Sequence, residues 1–410
     1  MAATKPRRKT PANSKASTKT AKTSAKAKTT KSKKSSPAPA KKKSTAKAPS
    51  KKTPSKKTPA KKKVAAKKPA AKKTEAAKPE ATPRRQVDGV KVLPREFLND
   101  LALTVCKAVR PAIAANKGRE IVGTAPSGDA TFELDKIAEK ALLGFLKRTR
   151  MPVAYYSEDA GYTTFSSGQP KNLLVIDPID GTRAAKNGFE GCVVSVCSTR
   201  IIERPTFVDV DNGLVMEIMG NRTFYAERDK GARMYVDGHV RKIRRSENTN
   251  LESVSWAMTV PARPAELIFP VAAKVIDLTS LKGGFFPCNS TSFSLTRLVS
   301  GQLDACVDFA NRFYRDIKPI VEDSFINAGR GVVLGVCPYD FAAALLIAQE
   351  AGCVVTDAYG NGFDEVLLLD SSVANHRSVI AAANQNLYDQ FFKYFDARIE
   401  QYKKLLKSRG

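Results

Sequence analysis

Beyond residue 93 the chain alternates apolar runs with short polar breaks, and most runs have a clear period. Phe97, Leu98, Leu101, Val105, Val109 and Ile113 recur near helical spacing, so residues 95–116 are read as an amphipathic helix. Pro94 suits its first turn, Gly118 its end, and Pro111 is expected to kink or interrupt it. Leu142, Leu143, Phe145 and Leu146 carry a second helix, entered through residues 128–135. The runs 153–157 and 173–176 are β-rich and end in acids, and 192–197 reads as a further buried strand. Residues 213–217 and 223–227 flank Gly220-Asn221, a hairpin signal. Further on come helices through Phe293, Leu295, Leu298 and Val299 and from Cys337 to Gly352, the latter followed by a strand at 353–356. The pattern is mixed α and β.

One stretch organises the rest: Leu173-Leu174-Val175-Ile176-Asp177-Pro178-Ile179-Asp180-Gly181-Thr182. Four apolar residues make a buried strand that stops at two carboxylates. Carboxylates at a strand exit are costly to bury unless they hold something positive. With Pro178 fixing the turn, Asp177 and Asp180 can converge on one point beside the Ile179 carbonyl, an all-oxygen set that suits Mg2+ rather than zinc. Gly181 lets the backbone approach a ligand, and the Gly181 and Thr182 amides would face an anion such as phosphate if a helix or tight turn begins there. Metal and phosphate in one turn point to phosphoryl chemistry.

Charge divides the chain unevenly. The whole carries +29, yet residues 1–85 hold 30 Lys and Arg against 2 acids, so the remainder is near neutral. Residues 1–87 contain no aromatic side chain and almost no aliphatic one larger than Ala, too little apolar surface to offset the entropy of ordering, and are read as a disordered tail. It resembles linker-histone tails. A flexible polycation of this kind fits non-specific nucleic acid through counterion release, with a solubilising arm, anionic lipid or acidic proteins as the other readings. It is Lys-dominated and broken by Pro, unlike an amphipathic transit peptide, and no apolar run reaches the length of a membrane span. Seven scattered cysteines without a C-x-x-C pair fit a reduced, cytoplasmic or nuclear-type compartment. Nucleoid or nuclear association would follow if the tail binds nucleic acid.

Two more segments complete a recognisable set: Val153-Ala154-Tyr155-Tyr156-Ser157-Glu158-Asp159 upstream, and Cys337-Pro338-Tyr339-Asp340-Phe341-Ala342-Ala343-Ala344 leading to Glu350-Ala351-Gly352 downstream. Together with the D-P-I-D-G-T turn they resemble the inositol monophosphatase family, lithium-sensitive, Mg2+-dependent phosphomonoesterases, over roughly residues 95–395. The resemblance implies an α+β fold, the layered α/β/α/β/α sandwich of the sugar phosphatases. It implies an N-terminal half at 88–265, a C-terminal half at 266–410 carrying Asp340, and a homodimer. It further implies two or three Mg2+ ions held by Glu158, Asp177, the Ile179 carbonyl, Asp180 and Asp340. Glu158 and Thr182, the latter oriented by Asp135, would position the attacking water, while Asp180, Gly181 and Thr182 would meet the substrate, a small phosphorylated metabolite; Arg183, outside the family pattern, is a further substrate-binding candidate on its own charge.

Each assignment has a plainer rival. Glu158 and Asp159 make a surface acid pair in which only one matches the family's ligand; Glu133 and Asp340 are at helix starts, where acids serve as caps. Ser290 and Ser292 either cap a helix or touch the leaving group. The chain departs from the family after D-G-T, where Arg183 and Lys186 either face anionic groups of the substrate or lie in a solvated loop. Tyr339 replaces a Trp. The family's inositol-binding carboxylate is expected at Val332, Val333 and Leu334, none of them acidic, which leaves inositol, fructose 1,6-bisphosphate and 3'-phosphoadenosine 5'-phosphate open as substrates. His239 and His376 match no family position and are read as structural. A nucleic-acid-binding or compacting protein with a phosphatase-like scaffold is the alternative function.

Overall fold

Residues 83–85, 87–164 and 168–408 are described by a computed structural model. Most of the basic tail, and with it the expected disorder and nucleic-acid binding, lies outside the described residues.

The strand Asn172–Asp180 is buried along its whole length inside an eight-stranded sheet. Leu173 and Val175 enter one core and Leu174 and Ile176 another, so both faces are covered and the sequence shows an unbroken apolar run rather than an alternation. It runs parallel to Val153–Ser157 and antiparallel to Val193–Thr199. The hairpin Asn212–Glu217 with Arg222–Glu227 forms across Gly220-Asn221 as the turn signal requires. Ala232–Val236 and His239–Arg241 extend the sheet to one edge, and Gly161–Thr164 forms the other.

On one face of this sheet lie the helices Arg95–Ala114 and Glu133–Thr149, which direct Leu98, Leu101, Val105, Leu142 and Leu146 into a shared core. Pro111 does not interrupt the first helix, which runs through it to Ala114 and gives up only the one backbone donor that proline lacks. The other face meets Thr291–Ser300 and Pro338–Glu350. This middle layer is apolar on nearly every side because a second sheet covers its far face. That sheet runs in the order Gly284–Cys288, Ser255–Thr259, Ala305–Asp308, Val379–Ala382, Val354–Thr356. Its outer face packs on Ala265–Thr279, Ala310–Ala328 and Gln385–Lys407 around Trp256, Val307 and Ile380. The stacking is the helix/sheet/helix/sheet/helix sandwich that the resemblance implies.

The second sheet starts ahead of the expected division at 265/266. Ser255–Thr259 already belongs to the second sheet, and contacts group the described residues into one unit rather than two bodies. Ser255–Thr259 runs parallel to both Gly284–Cys288 and Ala305–Asp308, so three carboxyl ends open on the same side. All seven cysteines are unpaired, and no helix among the described residues is long and apolar enough to cross a membrane.

Candidate active site

The strand Asn172–Asp180 pairs evenly with its neighbour as far as Asp177 and then slips register before Asp180. Residues three apart on a regular strand face opposite ways, so this irregularity around Pro178 returns Asp180 to the side of Asp177. Asp340 arrives from the start of Pro338–Glu350. Its Oδ2 accepts the Cys337 N–H at 2.6 Å, yet the carboxylate also reaches the cleft. Asp177, Asp180 and Asp340 each offer an oxygen within 4.8 Å of the others. Helix cap and site carboxylate, rivals in the sequence, are one side chain here.

Asp177 and Asp180 are 3% and 5% exposed. Burial, compounded by the charge of neighbouring acids, pushes the Asp177, Asp340 and Glu158 carboxyls well above the usual range. Burial raises Asp180 to about 7, against the hydrogen bonds that Ser290 and Ser292 give it. A group of carboxylates so placed repels itself unless something positive neutralises it. The donors are all carboxylate oxygens, with no His or Cys in the gathered set, which fits a hard divalent cation. Glu158 borders the same cleft but stands outside the close triad. Asp159 instead accepts a hydrogen bond from Thr131 Oγ1, away from the triad.

Behind the carboxylates, Gly181 takes a left-handed φ of 97°, and a Cβ there would sit 2.5 Å from the Gly191 carbonyl oxygen. Only glycine fits this turn. A short helix, Thr182–Ala185, begins immediately after it. Thr182 Oγ1 lies 3.0 Å from both Asp135 Oδ1 and the Ile179 carbonyl. Asp135 also accepts the Phe132 N–H at 2.7 Å, and burial raises its carboxyl to about 7. Glu133 is exposed.

Arg183 lines the cleft but is not free: its Nη1 and Nη2 donate to Asp129 at 3.2 and 2.7 Å. Lys186 places its ammonium 4.0 Å from the centre of the ring of Phe132, itself part of the cleft lining.

Several cleft residues were not legible in the sequence. Ser290 caps Thr291–Ser300 by accepting the Phe293 N–H, and also donates to Asp180 Oδ2 at 2.7 Å; the Ser292 amide donates to the same oxygen at 2.8 Å. Capping was readable, but holding Asp180 from 110 positions away was not. Leu334 and Gly335 form part of the wall, and Asp308 stands behind it through a salt bridge to the lining residue Arg263. His376, read as structural, also lines the cleft; burial lowers it to about 4. His239 is exposed on an edge strand.

Known proteins are similar to this chain in sequence and fold. The inositol monophosphatase family matches residues 94–400. A fructose-1,6-bisphosphatase/inositol-1-monophosphatase of Methanothermobacter thermautotrophicus is 26% identical over 301 residues, covering 72% of this chain and 93% of its own. A bifunctional NADP phosphatase/NAD kinase of Methanococcus maripaludis is 25% identical over 313 residues, covering 74% of this chain, which spans only 49% of that longer relative. In fold, the extragenic suppressor protein SuhB of Bartonella henselae superposes with a TM-score of 0.55 at 17% identity, over 73% of this chain and 97% of its own. The match across three-quarters of the sequence, together with the sandwich and its acidic cleft, makes this chain a member of the inositol monophosphatase family.

Proposed function

We propose that the chain hydrolyses a phosphate monoester of a small metabolite with the help of Mg2+. The observation that carries this reading is the triad of buried carboxylates, Asp177, Asp180 and Asp340, with oxygens within 4.8 Å of one another and raised well above the usual carboxylate range by burial and by their neighbours. With Glu158 and the Ile179 carbonyl they would hold two or three ions. Bound Mg2+ supplies neutralisation of the phosphate charge and a water acidic enough to attack near neutral pH.

The chain's own residues do the rest. The Gly181 and Thr182 amides open a helical turn and need acceptors from outside it, which phosphoryl oxygens provide. Thr182 Oγ1, donating to Asp135, orients the water through its oxygen, and the Glu158 carboxylate helps to position it and receives the proton it gives up. Cys337 is left without a nucleophilic role, because burial drives its thiol well up. Lithium inhibition follows from competition for an Mg2+ position. The names of relatives support sugar and inositol phosphates first, with the 2'-phosphate of a dinucleotide as the further option.

The test is phosphate release from a panel of sugar phosphates, inositol phosphates and nucleotide phosphates by purified protein, with Mg2+ and with chelator. Asp177→Asn is expected to abolish turnover while retaining the far-UV spectrum of the fold; full activity in that variant rejects the assignment.

A further inference from the structure

Away from the carboxylates the cleft is lined by Thr259, Pro261, Ala262, Arg263, Gly335 and His376. Arg263 is the unexpected member. Its side chain is 8% exposed, and it comes from the loop that follows the carboxyl end of Ser255–Thr259. Its Nε and Nη2 donate to Asp308 Oδ2 at 3.1 and 2.8 Å, and its Nη1 donates to the Pro261 carbonyl at 3.2 Å. Of the five N–H donors of a guanidinium, one on each Nη therefore meets no acceptor among the described residues.

The fold gains little from this arrangement. A buried ion pair is at best break-even against apolar side chains of the same size. The loop that presents it also holds Ala262 at a left-handed φ of 58°, unfavourable for any residue with a Cβ. Backbone strain beside a cleft, with two guanidinium donors unused, is the condition expected of a group waiting for a ligand. A second unused atom is nearby: His376 is 1% exposed, its Nε2 faces the Ser371 carbonyl, and its Nδ1 has no partner. With Nε2 donating, Nδ1 is an acceptor, but it packs against Gly335 inside the wall, which leaves Arg263 alone to meet a ligand.

Resting on the phosphomonoesterase reading, we infer that Arg263, steadied by Asp308, sets specificity for the alcohol half of the substrate by receiving a second anionic group. Paired Nη donors match the two oxygens of a carboxylate or a phosphate, whereas a neutral polyol would leave them unmet. The preferred substrates thus carry a carboxylate or a second phosphate on the alcohol that leaves.

The experiment measures kcat/KM with Mg2+ for two matched pairs: 2-phosphoglycerate against glycerol 2-phosphate, and fructose 1,6-bisphosphate against fructose 1-phosphate. The unaltered chain is expected to favour the more anionic member of at least one pair, and that pair distinguishes carboxylate from phosphate. Arg263→Met is expected to cut the preference about tenfold or more, through KM rather than kcat. The double variant Arg263→Met/Asp308→Asn, which leaves no orphaned carboxylate, is expected to show the same loss. A preference unchanged in both variants, or absent from the unaltered chain, overturns the inference; so does equal loss on both members, the result if Arg263 merely steadies the charge of Asp340. Phosphate release from none of the four esters would instead sink the phosphomonoesterase reading, and this inference with it.

Discussion

If the acidic cluster exists to hold cations, the metal-free protein carries a penalty that pH controls. Asp180 gives the scale: burial lifts it to about 7 in the fold, against an unfolded value of 3.8. Between those values the folded state binds more protons than the unfolded chain, so stability falls as pH rises through the window and the loss is complete above 7. For Asp180 alone that loss is on the order of 4 kcal/mol. About half of that loss falls between pH 5.5 and pH 8, which in a chain of this size lowers the thermal midpoint by roughly 3–5 °C. Mg2+ should reverse the trend, because at pH 8 it meets carboxylates already ionised, whereas at pH 5.5 it must first displace protons. The assay is thermal unfolding at both pH values, with chelator and with Mg2+. Expected are a less stable metal-free protein at pH 8 and a larger Mg2+-induced rise there than at pH 5.5. A metal-free protein at least as stable at pH 8, or an equal Mg2+ effect at both, would refute the electrostatic account of the site.

Three further outcomes follow from named contacts. Thr182→Val removes the hydroxyl shared between Asp135 and the Ile179 carbonyl, so kcat is expected to fall by about 100-fold while the Mg2+-induced thermal shift persists. Gly181→Ala brings a Cβ to 2.5 Å from the Gly191 carbonyl oxygen at a left-handed backbone position; denaturant titration should show a loss of about 2–4 kcal/mol, with activity reduced alongside. Arg85→Ala strips the Asp209 carboxylate of its guanidinium partner and frees the Glu203 and Arg204 carbonyls, and is expected to cost about 1–3 kcal/mol in the same measurement without altering KM.

What the sequence disclosed depended on how local each cause was. The strand Asn172–Asp180 was legible because burial on both faces leaves an unbroken apolar run, and the turn after it because Pro, Gly and two acids each carry a backbone or ligand consequence of their own. The helix beginning at Pro338 was legible for the same reason. Residues 255–259 gave no such signal, since Ser-Trp-Ala-Met-Thr neither alternates nor forms an apolar run, and so the second sheet begins earlier than the division at 265/266. Arg263 and Asp308 are ordinary residues in ordinary surroundings until the parallel strands bring their carboxyl ends together.

The same distinction bears on how the site is assembled. Asp177 and Asp180 come from the first sheet, Asp340 from the middle helical layer, and the serines that hold Asp180 from the other helix of that layer. A charged cluster spanning those layers pushes them apart when empty and draws them together when neutralised. The local motif therefore names the carboxylates, but their convergence is a property of the interface between layers. Substitutions at Ser290, which donates to Asp180, are the places where that coupling would become visible as a weaker Mg2+-induced gain in stability.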